Sequence, residues 1–187
     1  MKLLPCILAL TMVACHSLPA LHYYSLEAVS PVEGASHPAS ALLIRVRHVS
    51  LPHEMDHLGL THHVGPTQLA ISDNDQWTAP LNVLIQGTIT RDLGERLGYA
   101  QVVAADALPG ASPANLDLDF VSLAADGSCG ITAQVNWTLS IPQGATRRGS
   151  AQLSAPATAS CPGGLPTALS TALGELADQL VPQLTAS

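Results

Sequence analysis

Ile131-Thr132-Ala133-Gln134-Val135-Asn136-Trp137-Thr138-Leu139-Ser140-Ile141 alternates without a break between apolar and polar side chains. Successive residues of a strand point to opposite faces of its sheet, so the segment predicts a strand with one face in a core and the other against solvent or a partner. A sheet covered on one side only is expected to be antiparallel. Working outward, Leu116–Leu123 is predicted as the preceding strand, with Leu116, Leu118 and Phe120 on one face and Gly127 in the connecting turn. Past a turn at Gly144, Gly149–Ser154 adds the next strand. The chain then closes with a helix from about Pro166, where Leu165, Leu169, Leu173, Leu176, Leu180 and Leu184 form an apolar stripe.

Upstream the pattern changes period. Leu81, Leu84, Ile85, Ile89, Leu93 and Leu97 recur at helical spacing behind Pro80, with Arg91, Asp92, Glu95 and Arg96 expected mostly outside and Gly98 as the stop. Gln101–Ala105 reads as a strand and Pro109–Pro113 as a loop. Before the helix, His22–Leu26 is a short aromatic strand, Ser30–Ser40 a spacer, and Leu42–Val49 a strand with Leu42, Ile44 and Val46 inward and Arg45 and Arg47 outward. Gly59–Gly65 and Gln68–Ser72 form a hairpin through Gly65-Pro66, and Asp73-Asn74-Asp75 reads as a further turn. The predicted order is ββββ-α-ββββ-α. It defines a single α+β domain, mainly antiparallel sheet, with two amphipathic helices packed on one face.

Charged residues make up 11% of the chain and the formal net charge is −7. Apart from Lys2, the positive charges are Arg45, Arg47, Arg91, Arg96, Arg147 and Arg148, dispersed over the sequence. Nucleic-acid binding needs a basic patch to displace counterions, and none is present.

The N-terminus carries a different signal. Lys2 precedes the apolar run Leu3–Val13, which ends in small Ala14 directly before Cys15. That layout is a secretory signal, too short for a span of roughly 20 apolar residues. Met12-Val13-Ala14-Cys15 resembles the lipobox of bacterial lipoproteins, with Met in place of the usual Leu. The resemblance implies removal of residues 1–14, lipidation of Cys15, and a tether over residues 15–21. Acyl chains contribute about 0.8 kcal/mol per buried methylene, so several of them hold a soluble domain at a membrane. Cys6 would leave with the signal. Cys129 and Cys161 remain as an even pair in an oxidising compartment, and a disulfide is expected between the hairpin end and the start of the last helix. Closing a loop of roughly 30 residues stabilises a fold by about 3 to 4 kcal/mol in the chain-entropy account. The alternative, a reactive thiol, calls for an electropositive setting, whereas Asp126 is the nearest charge in sequence.

One enzyme motif must be weighed. His53-Glu54-Met55-Asp56-His57 satisfies H-E-x-x-H, in which two histidines a helical turn apart bind zinc and the glutamate activates water; His63 falls at the place of a third ligand. Against it, Pro52 follows a β-rich run, Gly59 interrupts any helix begun at the motif, Leu60 stands where the extended motif requires glycine, and no methionine follows Met55. The histidines His53, His57, His62 and His63 are therefore weak metal candidates on a polar connecting segment, and no catalytic residue or cofactor is assigned. Asp73 and Asp75 lack the remaining ligands of a calcium loop.

Taken in order, Tyr23-Tyr24-Ser25-Leu26 after the lipidation cysteine, the Arg-Val strand ending in Leu51-Pro52, Met55-Asp56, Gln76-Trp77 and Pro80-Leu81 resemble the PqiC-like ABC-type transport auxiliary lipoproteins. Leu116–Phe120, Trp137-Thr138-Leu139 and the closing helix occupy corresponding places, so the resemblance covers residues 22–187. The family usually reads Tyr-Leu-Asp-Arg where this chain has Glu54-Met55-Asp56-His57. The resemblance implies a non-catalytic lipoprotein subunit of an envelope lipid-transport system, anchored in the outer membrane and facing the periplasm. His16 after the cysteine agrees with outer-membrane sorting. The implied partners are an MCE-domain periplasmic protein and ABC-type transporter subunits, with a homo-oligomer also compatible. Two other functions fit a small tethered α+β domain: activation of another envelope machine such as a cell-wall synthase, or zinc hydrolysis through His53, Glu54 and His57.

Overall fold

The computed structural model describes residues 19–31, 42–103 and 112–185. The signal segment, Cys15, most of the Ser30–Ser40 spacer, residues 104–105 of one predicted strand and residues 109–111 of the loop after it lie outside the described residues. The elements run β1 (His22–Tyr24), β2 (Ile44–Ser50), a 3-10 turn (His53–Met55), β3 (Gly59–Gly65), β4 (Gln68–Trp77), α1 (Leu81–Leu97), β5 (Val102–Val103), β6 (Ala114–Ala125), β7 (Ile131–Ser140), β8 (Thr146–Ala155) and α2 (Leu165–Thr185). This is the predicted α+β order.

The predicted alternation sets the main sheet. On β7, Ile131, Ala133, Val135, Trp137 and Leu139 are buried, while Thr132, Gln134 and Asn136 are exposed. β6 and β8 pair with β7 in antiparallel register, Leu118 opposite Trp137 and Trp137 opposite Gly149. That last pair requires a glycine, since a Cβ at Gly149 would lie 2.4 Å from Cζ2 of Trp137. The full sheet order is β5-β2-β6-β7-β8. Both β5 and β6 run parallel to β2, which a crossover through α1 makes possible.

Both helices cover the apolar face of this sheet. α1 lies over β2 and β5, α2 lies over β7 and β8, and the two pack on each other. Leu169, Leu173, Leu176 and Leu180 of α2 and Ile85, Ile89 and Leu93 of α1 are almost fully buried. Each such side chain contributes roughly 1.5–3 kcal/mol. Pro80 precedes the first turn of α1, and Gly98, at φ 93°, ends it as predicted, its N–H bonding the Gly94 carbonyl.

Three local readings change. Asp73-Asn74-Asp75 is not a turn: β4 continues to Trp77 because β1 pairs with it in parallel, His22 opposite Asp75 and Tyr24 opposite Trp77. The result is a second, three-stranded sheet of order β1-β4-β3. Second, a bulge between Val46 and His48 sends both Arg47 and His48 outward and returns Val49 to the core. Third, Asp92 and Arg96, expected outside, are buried. The reason is the chain segment 25–31, which runs across the two helices. Leu26 is buried there, and the Gly174 backbone of α2 closely approaches Val29.

Candidate functional site

The N-terminal segment is held by a polar clasp. Glu27 N–H donates to Ser170 Oγ at 3.1 Å and Val29 N–H to Asp92 Oδ1 at 2.7 Å. Arg91 donates to the Leu26 carbonyl at 3.0 Å, and Arg96 to the Val29 carbonyl at 2.9 Å. Arg96 also reaches α2, bonding Asp178 through Nε at 2.6 Å and the Gly174 carbonyl through Nη2 at 3.2 Å. Asp92 Oδ2 is buried without a hydrogen-bond partner. Burial, partly offset by the Val29 N–H and the nearby Arg96, pushes the Asp92 carboxyl up to about 6. The clasp fixes where the chain from the N-terminus joins the helices.

A second polar cluster holds β1 on β4. Asp75 accepts from Ser72 Oγ at 2.7 Å and Tyr24 Oη at 3.1 Å, and lies 3.1 Å from His22 Nδ1. The Ser72 bond, ahead of those from Tyr24 and His22, holds the Asp75 carboxyl below its ordinary range against the opposing effect of desolvation.

The face of the main sheet opposite the helices is uncovered and mostly uncharged. Thr132, Gln134 and Asn136 of β7 stand beside Ser154, Gln152 and Ser150 of β8. At the β2 side the face ends in paired groups: Arg45 donates to Asn115 at 2.9 and 2.7 Å, Arg47 forks onto Asp117, and Ser50 donates to Asp119 at 2.5 Å. Between them a shallow depression of ≈ 580 Å³ is lined by residues including His48, Asp119, Asn136, Thr138, Arg148 and Ser150. It offers hydrogen-bond donors and acceptors over a broad area, the composition of a wet protein contact.

The H-E-x-x-H residues take a different arrangement from a zinc helix. His53 and Glu54 sit in a single 3-10 turn that ends at Asp56. His57 then turns toward β3, its Nδ1 donating to the Gly59 carbonyl at 3.0 Å and its Nε2 lying 3.1 Å from the Thr61 hydroxyl. Neither nitrogen can take a metal without losing one of these contacts. His63 is on β3 opposite Leu69. Among the described residues the histidine that joins a cluster of three metal-binding groups is His62: one of its ring nitrogens and the sulfurs of Cys129 and Cys161 all lie within 4.8 Å of one another. The two sulfurs themselves are at bonding distance, 1.93 Å, with Cα atoms 5.3 Å apart. The even cysteine count paired Cys129 with Cys161, and His62 was a candidate only alongside its neighbouring histidines; nothing in the sequence joined it to the cysteines, since β3 reaches them only through the tertiary packing of the small sheet against β6.

The architecture, a five-stranded sheet with two helices on one face and a small side sheet, recurs in solved structures. A crystal structure of an uncharacterised protein aligns with a TM-score of 0.72 at 18% identity, covering 89% of this chain and 99% of that one. The crystal structure of protein XCC0632 from Xanthomonas campestris, of the DUF330 family, aligns with a TM-score of 0.68 at 15% identity, covering 87% and 94%. No curated protein matches the sequence. At these identities the likeness is one of fold. The family follows from the sequence itself: residues 24–181 match the ABC-type transport auxiliary lipoprotein component, and the chain belongs to that PqiC-like family. Membership makes it an auxiliary lipoprotein of ABC-type transport, lipid-anchored in the cell envelope. Among the described residues no helix is long and apolar enough to cross a membrane.

Proposed function

We propose that this chain is a non-catalytic outer-membrane lipoprotein subunit of an MCE/ABC-type envelope lipid-transport system, facing the periplasm and acting by binding periplasmic partner proteins. Cys15 carries the lipid after removal of residues 1–14, residues 15–21 form the tether, and Cys129 and Cys161 form a disulfide. The observation that carries the reading is the family match across residues 24–181. Its structural support is the uncovered face of β6, β7 and β8, whose Ser, Thr, Asn and Gln side chains suit a hydrated contact with an MCE-domain protein. The lipobox-like Met12–Cys15 supports the anchor.

The test is mass spectrometry of the full chain purified through a C-terminal tag from solubilised envelope. Recovery of MCE-domain and ABC subunits is expected, with loss of both in the Gln134→Arg, Asn136→Arg double variant and release from the membrane in Cys15→Ala. Recovery of a cell-wall synthase instead, or undiminished MCE recovery with the charged face, would overturn the corresponding part of the reading.

A further inference from the structure

We propose that His62, Cys129 and Cys161 form, when the two cysteines are reduced, a three-ligand site for a thiophilic cation, with Zn²⁺ as its occupant. The three groups come from β3, the turn between β6 and β7, and the turn before α2, and their ligand atoms already lie within 4.8 Å of one another. A tetrahedral zinc with Zn–S near 2.3 Å and Zn–N near 2.0–2.1 Å needs sulfurs about 3.8 Å apart and nitrogen about 3.6 Å from each sulfur. Once the sulfur–sulfur bond is open, side-chain rotation brings the sulfurs to that spacing, and water fills the fourth position. Two thiolates and one imidazole are a ligand set that selects soft cations over calcium or magnesium.

Two further observations favour a ligand there. His62 Nδ1 is buried and engaged by no hydrogen-bonding group of the chain, so no protein contact has to be given up for it to ligate. The turn bearing Cys129 is fixed by bonds that do not involve sulfur. Asp126 Oδ1 accepts the N–H groups of Ser128 at 2.8 Å and Gly130 at 3.0 Å, and the Asp126 carbonyl accepts that of Cys129 at 2.9 Å. The Cys129 thiol, fully buried, thus stays in place when its bond opens.

The chemistry balances with a dithiol reductant. Its two sulfurs join as the Cys129–Cys161 bond breaks, two electrons and two protons passing to the cysteines. Zinc binding then forms two Zn–S bonds and releases the two thiol protons to solvent. Oxidation expels the metal by the reverse steps, so bridge and zinc are mutually exclusive occupants of one place.

The experiment uses the full chain, purified in detergent, in oxidised and anaerobically reduced forms, titrated with Zn²⁺ against a chromophoric chelator while thiol accessibility and circular dichroism are followed. The expected result is one zinc per reduced chain, both thiols protected from alkylation, no stoichiometric zinc on the oxidised chain, and binding weakened in His62→Ala by at least the roughly tenfold typical of disturbing even a ligand's outer partner. His63→Ala should bind as the parent does. Equal affinity in His62→Ala, equal binding by the oxidised chain, or no binding by a folded reduced chain would each overturn the proposal. So would a reduced chain that unfolds and that zinc does not refold.

Discussion

Asp92 makes stability depend on pH in an unusual direction. Its carboxyl is pushed up to about 6 from an ordinary 3.8 in the unfolded chain, chiefly by burial. A carboxyl raised on folding prefers its protonated form in the native state, so its contribution is fully present below about pH 4 and is lost as pH rises through 6. At 1.36 kcal/mol per unit the span is worth up to about 3 kcal/mol. The native chain should therefore gain stability as pH falls from 7.5 to 4.5. Between pH 7.5 and 4.5, where the unfolded carboxyl stays mostly ionised, about 2 kcal/mol of this is realised, and with a urea slope of roughly 2 kcal/mol per molar the midpoint should rise by about 1 M. Other groups titrate in the same window, so the decisive quantity is the difference between the parent and Asp92→Asn, whose amide keeps the Val29 contact but no longer titrates. Urea unfolding of both at pH 4.5, 5.5, 6.5 and 7.5 measures it. Parallel pH profiles for the two proteins would refute the reasoning, because the slope would then belong to groups other than Asp92.

Further outcomes follow from the same contacts. Arg96→Ala removes the cation nearest buried Asp92 and the donor to three backbone carbonyls, and should cost about 3–5 kcal/mol in urea unfolding at pH 7. Gly149→Ala places a Cβ 2.4 Å from Trp137 and should cost about 1–3 kcal/mol, with a changed near-ultraviolet dichroism marking the displaced indole. Asp75→Ala deprives Tyr24 and Ser72 of their acceptor, so the Thr78 amide, bonded to the Tyr24 carbonyl at 2.9 Å, should exchange with deuterium about tenfold faster, equivalent to about 1.4 kcal/mol. The same site should weaken in the parent below the ordinary range of carboxylates, since a lowered carboxyl loses its contribution as pH falls through the folded value.

The antiparallel strands β6, β7 and β8 and both helices were legible because their signals are local, whereas the parallel pairing of β2 with β5 and β6, against the antiparallel expectation, depends on the crossover through α1. The alternation of β7 and the leucine spacing of α2 reflect a single buried face each, and burial decides both. Whatever depended on a distant partner was not legible. Asp73-Asn74-Asp75 has turn chemistry, and the Ser72–Asp75 bonds do form locally, but pairing with β1 across about fifty residues of chain keeps the backbone extended. Asp92 and Arg96 fall among charged residues on the helix, where the default is solvent; only the segment at Val29 shows why they are inside. The objection to H-E-x-x-H, by contrast, was local and legible: Pro52 and Gly59 flank the residues, which occupy one turn of 3-10 helix. His62 could not have been paired with the cysteines from spacing, since that meeting requires the small sheet to be placed first.

The way the chain is fastened between His22 and Val29 decides how the domain bears load. A pull from a membrane anchor arrives at Leu21 and meets β1 on β4, then Leu26 beneath Arg91, then Val29 gripped between Asp92 and Arg96. These holds lie in series, like a rope turned around a cleat, and they pass tension into the paired helices. The open sheet face is on the far side of the core and is spared, so a partner seated there meets the same surface whether the tether is slack or taut.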